Sequence, residues 1–467
     1  MAVDFGVCIL AAGLGTRLKL NRPKALAPVM GRTLIDYVVD TSKEFLKKEK
    51  LQGKMGVVTG HMRELVEEHL NKNFPGEMEF AFQEKQLGTA DAVRSYFKGV
   101  PAAAKATYTI IICADTPLIR DIDLSLLYIH LRNEKKDAVA ATFYEKNPTG
   151  YGRIIRGENS LGFHIVEEKD ASSEERKICE VNSGLYIIKT SFLIEKLAKV
   201  DNKNKSGEFY LTDLFKDHFN VSPVLFNEGE IFLGVNNLIQ LEEASKFLIL
   251  RKIRGLQESG VRFLDSSSIV IDHFVSIEAG TVVYPQVCFE GRTEIAANVV
   301  IESGCMIKNS KVAEGVSILA HSYLEDSIIQ KFASIGPFAR IRPGTNVGEG
   351  AKVGNFVEIK KSVLAKGAKV SHLSYVGDAE IGEESNLGCG FITCNYDGVN
   401  KHKTKIGKNV FIGSDSQMVA PVSVGDDCFV AAGSTVTQDM PSGSFAISRG
   451  KQTTKEGMAH RFLKKKS

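Results

Sequence analysis

The stretch Ile335-Gly-Pro-Phe-Ala-Arg-Ile341-Arg-Pro-Gly-Thr-Asn-Val347-Gly-Glu-Gly-Ala-Lys-Val353-Gly-Asn-Phe-Val-Glu-Ile359 decides the fold of the second half of the chain. An aliphatic residue recurs at every sixth position, with a small residue beside it in Val347-Gly348 and Val353-Gly354. Hexapeptide periodicity marks a parallel β-helix, in which each hexad is one short strand and a corner. Small residues fit such corners. The rhythm extends upstream through Ile271, Ile277, Val283, Phe289, Ile295, Ile301 and Ile307, slips by one to Val312, Ile318 and Leu324, and slips again to Ile329. Downstream it continues through Leu364, Val370, Val376, Ile381 and Leu387, then Ile406, Ile412, Met418, Val424, Val430 and Val436. Between Thr393 and Ile406 it breaks. The polar run there, Cys394-Asn395-Tyr396-Asp397-Gly398-Val-Asn-Lys401-His-Lys-Thr, is a functional candidate, because a regular solenoid gains nothing from an extra loop.

Before about residue 265 short apolar runs alternate with helical patterns. Val7–Ala11, Met55–Thr59 and Thr109–Cys113 read as strands; Leu34–Leu46 and Arg63–Leu70 read as helices. This alternation predicts a mostly parallel sheet covered by helices, with ligands at the C-terminal strand ends. Residues 238–258 carry Leu238, Leu241, Phe247, Leu248 and Leu256 at helical spacing and predict a connecting helix. The expected domains are 1–237, a linker helix over 238–260, and 261–467 with a basic tail.

The 467 residues include 59 Lys plus Arg against 56 Asp plus Glu. That balance argues against a nucleic-acid binder, which needs a basic surplus. No apolar run is long enough to span a membrane, and the N-terminus lacks the pattern of a signal peptide. The eight cysteines are scattered without a CxxC, which predicts reduced thiols in a cytoplasmic protein.

After the first strand comes Leu10-Ala11-Ala12-Gly13-Leu-Gly15-Thr16-Arg17, then Pro23-Lys24. Successive N–H groups of a glycine-rich turn converge on phosphate oxygens, and Arg17 and Lys24 would add charge where pyrophosphate departs. Leu18 replaces the third glycine of a dinucleotide fingerprint, and no GK[ST] makes a Walker motif. This segment resembles sugar-1-phosphate nucleotidyltransferases. With the hexapeptide half, the chain resembles, nearly end to end, the bacterial bifunctional UDP-N-acetylglucosamine pyrophosphorylases / glucosamine-1-phosphate N-acetyltransferases. Further motifs match in order: Gln83-Glu-Lys-Gln86-Leu-Gly88-Thr89, Ala114-Asp115-Thr-Pro-Leu, Thr149-Gly-Tyr-Gly152-Arg, Val166-Glu167-Glu, Glu180-Val-Asn182-Ser-Gly, Glu208-Phe-Tyr-Leu-Thr-Asp213, Gly234-Val-Asn236, Arg340-Ile-Arg342, Asn355-Phe-Val-Glu-Ile-Lys360 and Ser371-His372-Leu-Ser-Tyr375.

The resemblance implies a Rossmann-like nucleotidyltransferase domain followed by a left-handed parallel β-helix, an exception to the usual crossover hand. It implies that Leu10, Ala11, Ala12, Gly13, Gln83, Gly88 and Thr89 hold uridine, that Arg17 and Lys24 hold the triphosphate of UTP, and that Gly152, Glu167 and Asn182 hold the amino sugar. Asp115 and Asn236 would hold Mg²⁺, a hard cation content with few protein oxygens plus phosphate and water. In the second half His372 would be the general base, since a neutral imidazole suits removal of an amine proton. Arg342, Lys360, Tyr375 and Asn386 would bind the sugar phosphate. Asn395, Tyr396, Ser414, Ala432 and Arg449 would contact acetyl-CoA. A cytoplasmic homotrimer with shared acetyltransferase sites and small-molecule substrates only is also implied. Two positions depart from the resemblance: Leu14 stands where Lys is expected, and Asp91 where His is expected. Two alternatives stay open on the residues alone. One is a single-activity nucleotidyltransferase with a scaffolding solenoid; the other is a non-catalytic subunit that keeps both folds.

Overall fold

The computed structural model describes residues 3–13, 15–157, 162–216 and 220–463. Leu14 and the end of the basic tail, Lys464–Ser467, lie outside them. The chain forms two compact units, Met1–Leu248 and Ile249–Ser467, and the division falls inside the helix Leu238–Glu258, which covers the residues expected to be helical.

In the first unit one sheet runs in the order Val221–Phe226, Ala138–Tyr144, Glu180–Lys189, Tyr108–Cys113, Phe5–Leu10, Gly53–Thr59, Met78–Phe82. Neighbours are parallel except Glu180–Lys189, which is antiparallel to both strands beside it. Alternate side chains of the first strand feed opposite layers, as the period of two demands. Phe5, Val7 and Ile9 pack with Ile35, Val38 and Val39 of the helix Leu34–Lys48 and with Leu124 and Leu127 of the helix Asp121–Asn133. Cys8 faces the other layer, with Val93 and Tyr96 of the helix Thr89–Gly99. The helix Leu34–Lys48 starts at a capping box in which Thr33 and Asp36 serve each other's backbone N–H groups.

The second unit is a left-handed parallel β-helix of hexapeptide repeats. Its three faces are sheets of 11, 10 and 9 strands, each strand pairing in register with its equivalent one turn later. The hexad residues all point inward: Ile335, Ile341, Val347, Val353 and Ile359 are fully buried. Corners are turned at positive φ by Phe338, Phe356, Leu373 and Asp378, a backbone region that non-glycine residues seldom occupy. His321 is another such corner residue, φ 57°. Between Ile392–Cys394 on the second face and Thr404–Ile406 on the third, the expected extra loop emerges. All eight cysteines are free thiols. Among the described residues no helix is long and apolar enough to cross a membrane.

Candidate active sites

In the first unit, in-register pairing of Phe5–Leu10 with Tyr108–Cys113 and Gly53–Thr59 carries the Gly-rich loop and Asp115 to the same edge of the sheet. Gly15 lies at φ +62° with the place of a Cβ 2.7 Å from Lys24 Cβ, so a side chain there would push Lys24 away. Lys24 Nζ pairs with Asp115 Oδ2 and donates to Asn236 Oδ1 at 2.7 Å. Arg17 Nη2 donates to the same Asn236 oxygen at 3.0 Å. That oxygen is turned inward because Asn236 Nδ2 donates to Gly234 O at 3.1 Å, while its backbone N–H donates to Gln240 at 2.8 Å. Two hard oxygens therefore converge on one cation, here the Lys24 ammonium. This donor set suits Mg²⁺ completed by phosphate and water. Among the described residues no group of three or more His, Cys, Asp or Glu forms a closed metal cage.

Farther along the cleft, Gly88 (φ +116°) touches Phe209 so closely that a Cβ would lie 2.4 Å from Phe209 O. Gln86 Nε2 donates to Ala12 O at 3.3 Å, and Leu211 N donates to Thr89 Oγ1 at 3.0 Å. At the other end Gly152, Glu167 and Asn182 meet: a Cβ on Gly152 would sit 3.6 Å from both Glu167 Oε2 and Asn182 Cβ. Burial pushes the Glu167 carboxyl up, and Thr212 Oγ1 donates to it at 2.9 Å. Glu168, not singled out by sequence reasoning, accepts from Gly150 N at 3.2 Å and from buried Arg153 at 2.7 Å. It thereby pins the turn that presents Gly152.

In the solenoid, Asn355 and His372 are register partners on neighbouring turns of the first face. His372 Nδ1 donates to Asn355 Oδ1 at 2.8 Å, which leaves Nε2 as the basic nitrogen on an exposed ring. Sequence reasoning passed over Asn355, although its place one coil before His372 was the available signal. We expect Asn355→Ala to lower acetyl-transfer kcat about tenfold with little change in sugar-phosphate KM, because His372, the expected base, would lose its orientation but not its chemistry. Steady-state kinetics would check this, with Asn355→Asp, which keeps the acceptor, retaining most of the rate. The pairing of Val370, Leu387, Ile412 and Val430 continues the column, so Cys389, Ser414 and Ala432 follow His372 along one edge. Arg449 closes back onto it, Nη1 donating to Ala432 O at 2.8 Å.

The second face carries Tyr375, in register with Glu358 and Ile392. Its phenol lies over Gly377, where a Cβ would approach Tyr375 Oη to 2.4 Å. Gly377→Ala should displace that ring and raise the sugar-phosphate KM of acetyl transfer by about tenfold, read from initial rates. Beyond Gly377, at the opposite edge, stand Arg342, Lys360 and the loop residue Lys401. Arg342 Nη1 holds Glu358 at 2.7 Å. The adjoining Lys401 ammonium, with Arg342 behind it, keeps Lys360 below its usual value. Cations crowded this way are relieved by an anion. The loop is tied by Asp397, which accepts from Val399 N at 2.8 Å and from His402 at 2.6 Å and is held well below the usual carboxylate range. Asn395 donates to Asp378 at 2.6 Å, while Val399 at the tip is 83% exposed.

The expected acetyltransferase residues are not brought together at one edge of a single chain, and Arg342 and Lys360 stand away from His372. Asn395 and Tyr396 sit on the Lys360 edge, whereas Ser414, Ala432 and Arg449 sit on the His372 edge. Asn386 pairs with Lys369 and Phe411, at the strand end away from His372, about 10 Å along the strand.

A sheet edge that carries a glycine-rich loop, Lys24 and Asp115, and a cationic, histidine-bearing hexapeptide solenoid, define a nucleotidyl transferase joined to a hexapeptide-repeat transferase. Comparison with known proteins agrees: a nucleotidyl transferase family model matches residues 7–227, a GMPPB C-terminal domain model 266–349, and a hexapeptide repeat of succinyl-transferase model 403–438. "Bifunctional protein GlmU" of Pelobacter propionicus is 42% identical over 462 residues, covering 98% of each chain. The protein of the same name from Thermosipho africanus is 41% identical, covering 95% of this chain and 94% of that one. The one from Geotalea uraniireducens is 41% identical, covering 99% and 100%. The chain belongs to the GlmU family of bifunctional transferases.

Proposed function

We propose that the solenoid acetylates glucosamine-1-phosphate with acetyl-CoA and that the first unit then joins the product to UTP, giving UDP-N-acetylglucosamine and pyrophosphate. The observation that carries this reading is that one chain holds both the Lys24–Asp115–Asn236 convergence and a His372 with a free Nε2 on a solenoid whose opposite edge crowds cations.

In acetyl transfer, Arg342, Lys360 and Lys401 hold the phosphate and Tyr375 supports the ring. His372 Nε2 takes a proton from the amine as its nitrogen attacks the thioester carbonyl. The tetrahedral intermediate collapses with loss of the CoA thiolate, which is then protonated. The residues assigned to acetyl-CoA are divided between two edges of a single solenoid. A homotrimer whose adjacent copies each supply one edge would complete the site.

In uridylyl transfer, a phosphate oxygen of the sugar attacks the α-phosphorus of UTP in line and pyrophosphate leaves. Arg17 and Lys24 balance the charge on the leaving group, and the loop amides of Leu10–Gly13 hold the nucleotide. Asp115 and Asn236 would hold Mg²⁺, which when bound neutralises phosphate charge. Glu167 and Asn182 orient the acetamido sugar. The compartment is the cytoplasm, where reduced thiols persist.

Two separate assays test the reading. Loss of the free amine of glucosamine-1-phosphate should require acetyl-CoA alone, and pyrophosphate release from UTP should require N-acetylglucosamine-1-phosphate and Mg²⁺. Absence of either product removes the corresponding half.

A further inference from the structure

We infer that Asp91 is the residue that sets base specificity in the first unit, by locking the side-chain amide of Gln83 so that it can only accept a hydrogen bond from the base. The inference rests on the uridylyl-transfer reading and deepens it.

Gln83 follows the strand Met78–Phe82, its backbone N–H donating to Thr59 O at 2.9 Å, and it is only 4% exposed. Its Nε2 donates to Gly88 O at 3.2 Å and to Asp91 Oδ2 at 2.8 Å. Both partners are pure acceptors: a backbone carbonyl and a carboxylate. The assignment of nitrogen and oxygen is therefore dictated by chemistry. Turning the amide over would set Oε1 against two other oxygens in a buried place. An amide nitrogen has two hydrogens, and both are spent. Oε1 remains without a protein partner, yet it is not sealed in. The enclosed side-chain atoms lacking partners among the described residues are Arg153 Nε, Ser206 Oγ and Thr404 Oγ1.

Gln83 thus offers the cleft a lone pair and no hydrogen. Uracil has one donor on its pairing edge, N3–H, between two carbonyl oxygens. In the pose that gives N3–H to Gln83 Oε1, cytosine would present the lone pair of its N3 to that oxygen. An unlocked glutamine would serve either base by rotating its amide. The Asp91 carboxylate, the closer of the two acceptors, opposes that rotation together with Gly88 O. A neutral histidine at this position, the type the sequence resemblance leads one to expect, can donate or accept and would leave only the longer contact to Gly88 O to fix the amide. Asp91 is positioned for this by the helix Thr89–Gly99, whose first turn carries it. It acts through Gln83 and is a specificity-positioning residue, remote from the reacting atoms.

The test is the ratio of kcat/KM for UTP to that for CTP, with N-acetylglucosamine-1-phosphate and Mg²⁺ and the full chain. The wild type should prefer UTP at least about a hundredfold and should reject 3-methyl-UTP, which lacks the N3 hydrogen, to a similar degree. In Asp91→Asn the new amide can donate to or accept from Gln83. The UTP:CTP ratio should fall at least about tenfold, chiefly through faster use of CTP. Asp91→Glu, which keeps the carboxylate, provides a second variant and should hold the ratio nearer the wild type than Asp91→Asn does. The UTP rate of each variant reports whether its first unit is folded. A ratio in Asp91→Asn within twofold of wild type overturns the lock, as does wild-type use of CTP or 3-methyl-UTP at the UTP rate. No turnover of UTP by the wild type overturns the uridylyl reading itself, and the lock with it.

Discussion

Replacement of His372 by alanine is expected to lower acetyl transfer about 10²–10⁴-fold while UMP transfer stays within about twofold of wild type. The size of the loss follows from the chemistry. The amine must give up a proton as it attacks, and among the groups placed at this edge His372 alone presents a ring nitrogen without a partner. Asn355 holds Nδ1, so Nε2 carries the basic lone pair. The selectivity follows from the architecture. His372 is an exposed side chain at a strand end of the solenoid, apart from its buried hexad residues, and the residues proposed for uridylyl transfer all lie in the first unit. Thiol release from acetyl-CoA and pyrophosphate release from UTP, measured on one preparation, give both numbers.

The reciprocal change, Asp115→Ala, is expected to lower UMP transfer about 10²–10³-fold and leave acetyl transfer within about twofold. Asp115 contributes one of two oxygens that converge on a single cationic point, the other being Asn236 Oδ1. Without it, the Lys24 ammonium loses its carboxylate and a divalent cation loses its only anionic protein ligand among these groups. Asp115→Asn, which preserves shape, should fall between wild type and alanine. If the alanine variant also lost acetyl transfer in folded protein, the two sites would not be independent.

The sequence spoke most clearly where one residue type had one structural meaning. In the solenoid the hexad residues from Ile271 to Val436 are the inward ones, and the single long break in their rhythm is the loop tied by Asp397. The helix Leu238–Glu258 was legible from its apolar spacing. Glu180–Lys189 was not legible as an antiparallel strand in the middle of a parallel sheet, because strand direction is set by the pairing of distant segments. The clustering of Asp115 and Asn236 came from matched motifs; that Lys24 joins their oxygens needed coordinates. Asn355 was readable in principle, since a coil of fixed length places it beside His372. The Gln83–Asp91 contact was not, because it depends on how the helix Thr89–Gly99 turns its first residues back toward the preceding strand. Nor did the motifs reveal that Asn395 and Ser414 occupy different edges, which depends on each residue's phase within its coil.

The central claim is that one chain carries two consecutive transfers on two separate sites. The most direct measurement is a mass assay with glucosamine-1-phosphate, Mg²⁺ and UTP, run with and without acetyl-CoA. The account predicts UDP-N-acetylglucosamine only when both donors are present, with N-acetylglucosamine-1-phosphate accumulating when UTP is withheld. Formation of UDP-glucosamine as the sole product in the presence of both donors would contradict it, and would reduce the solenoid to a scaffold.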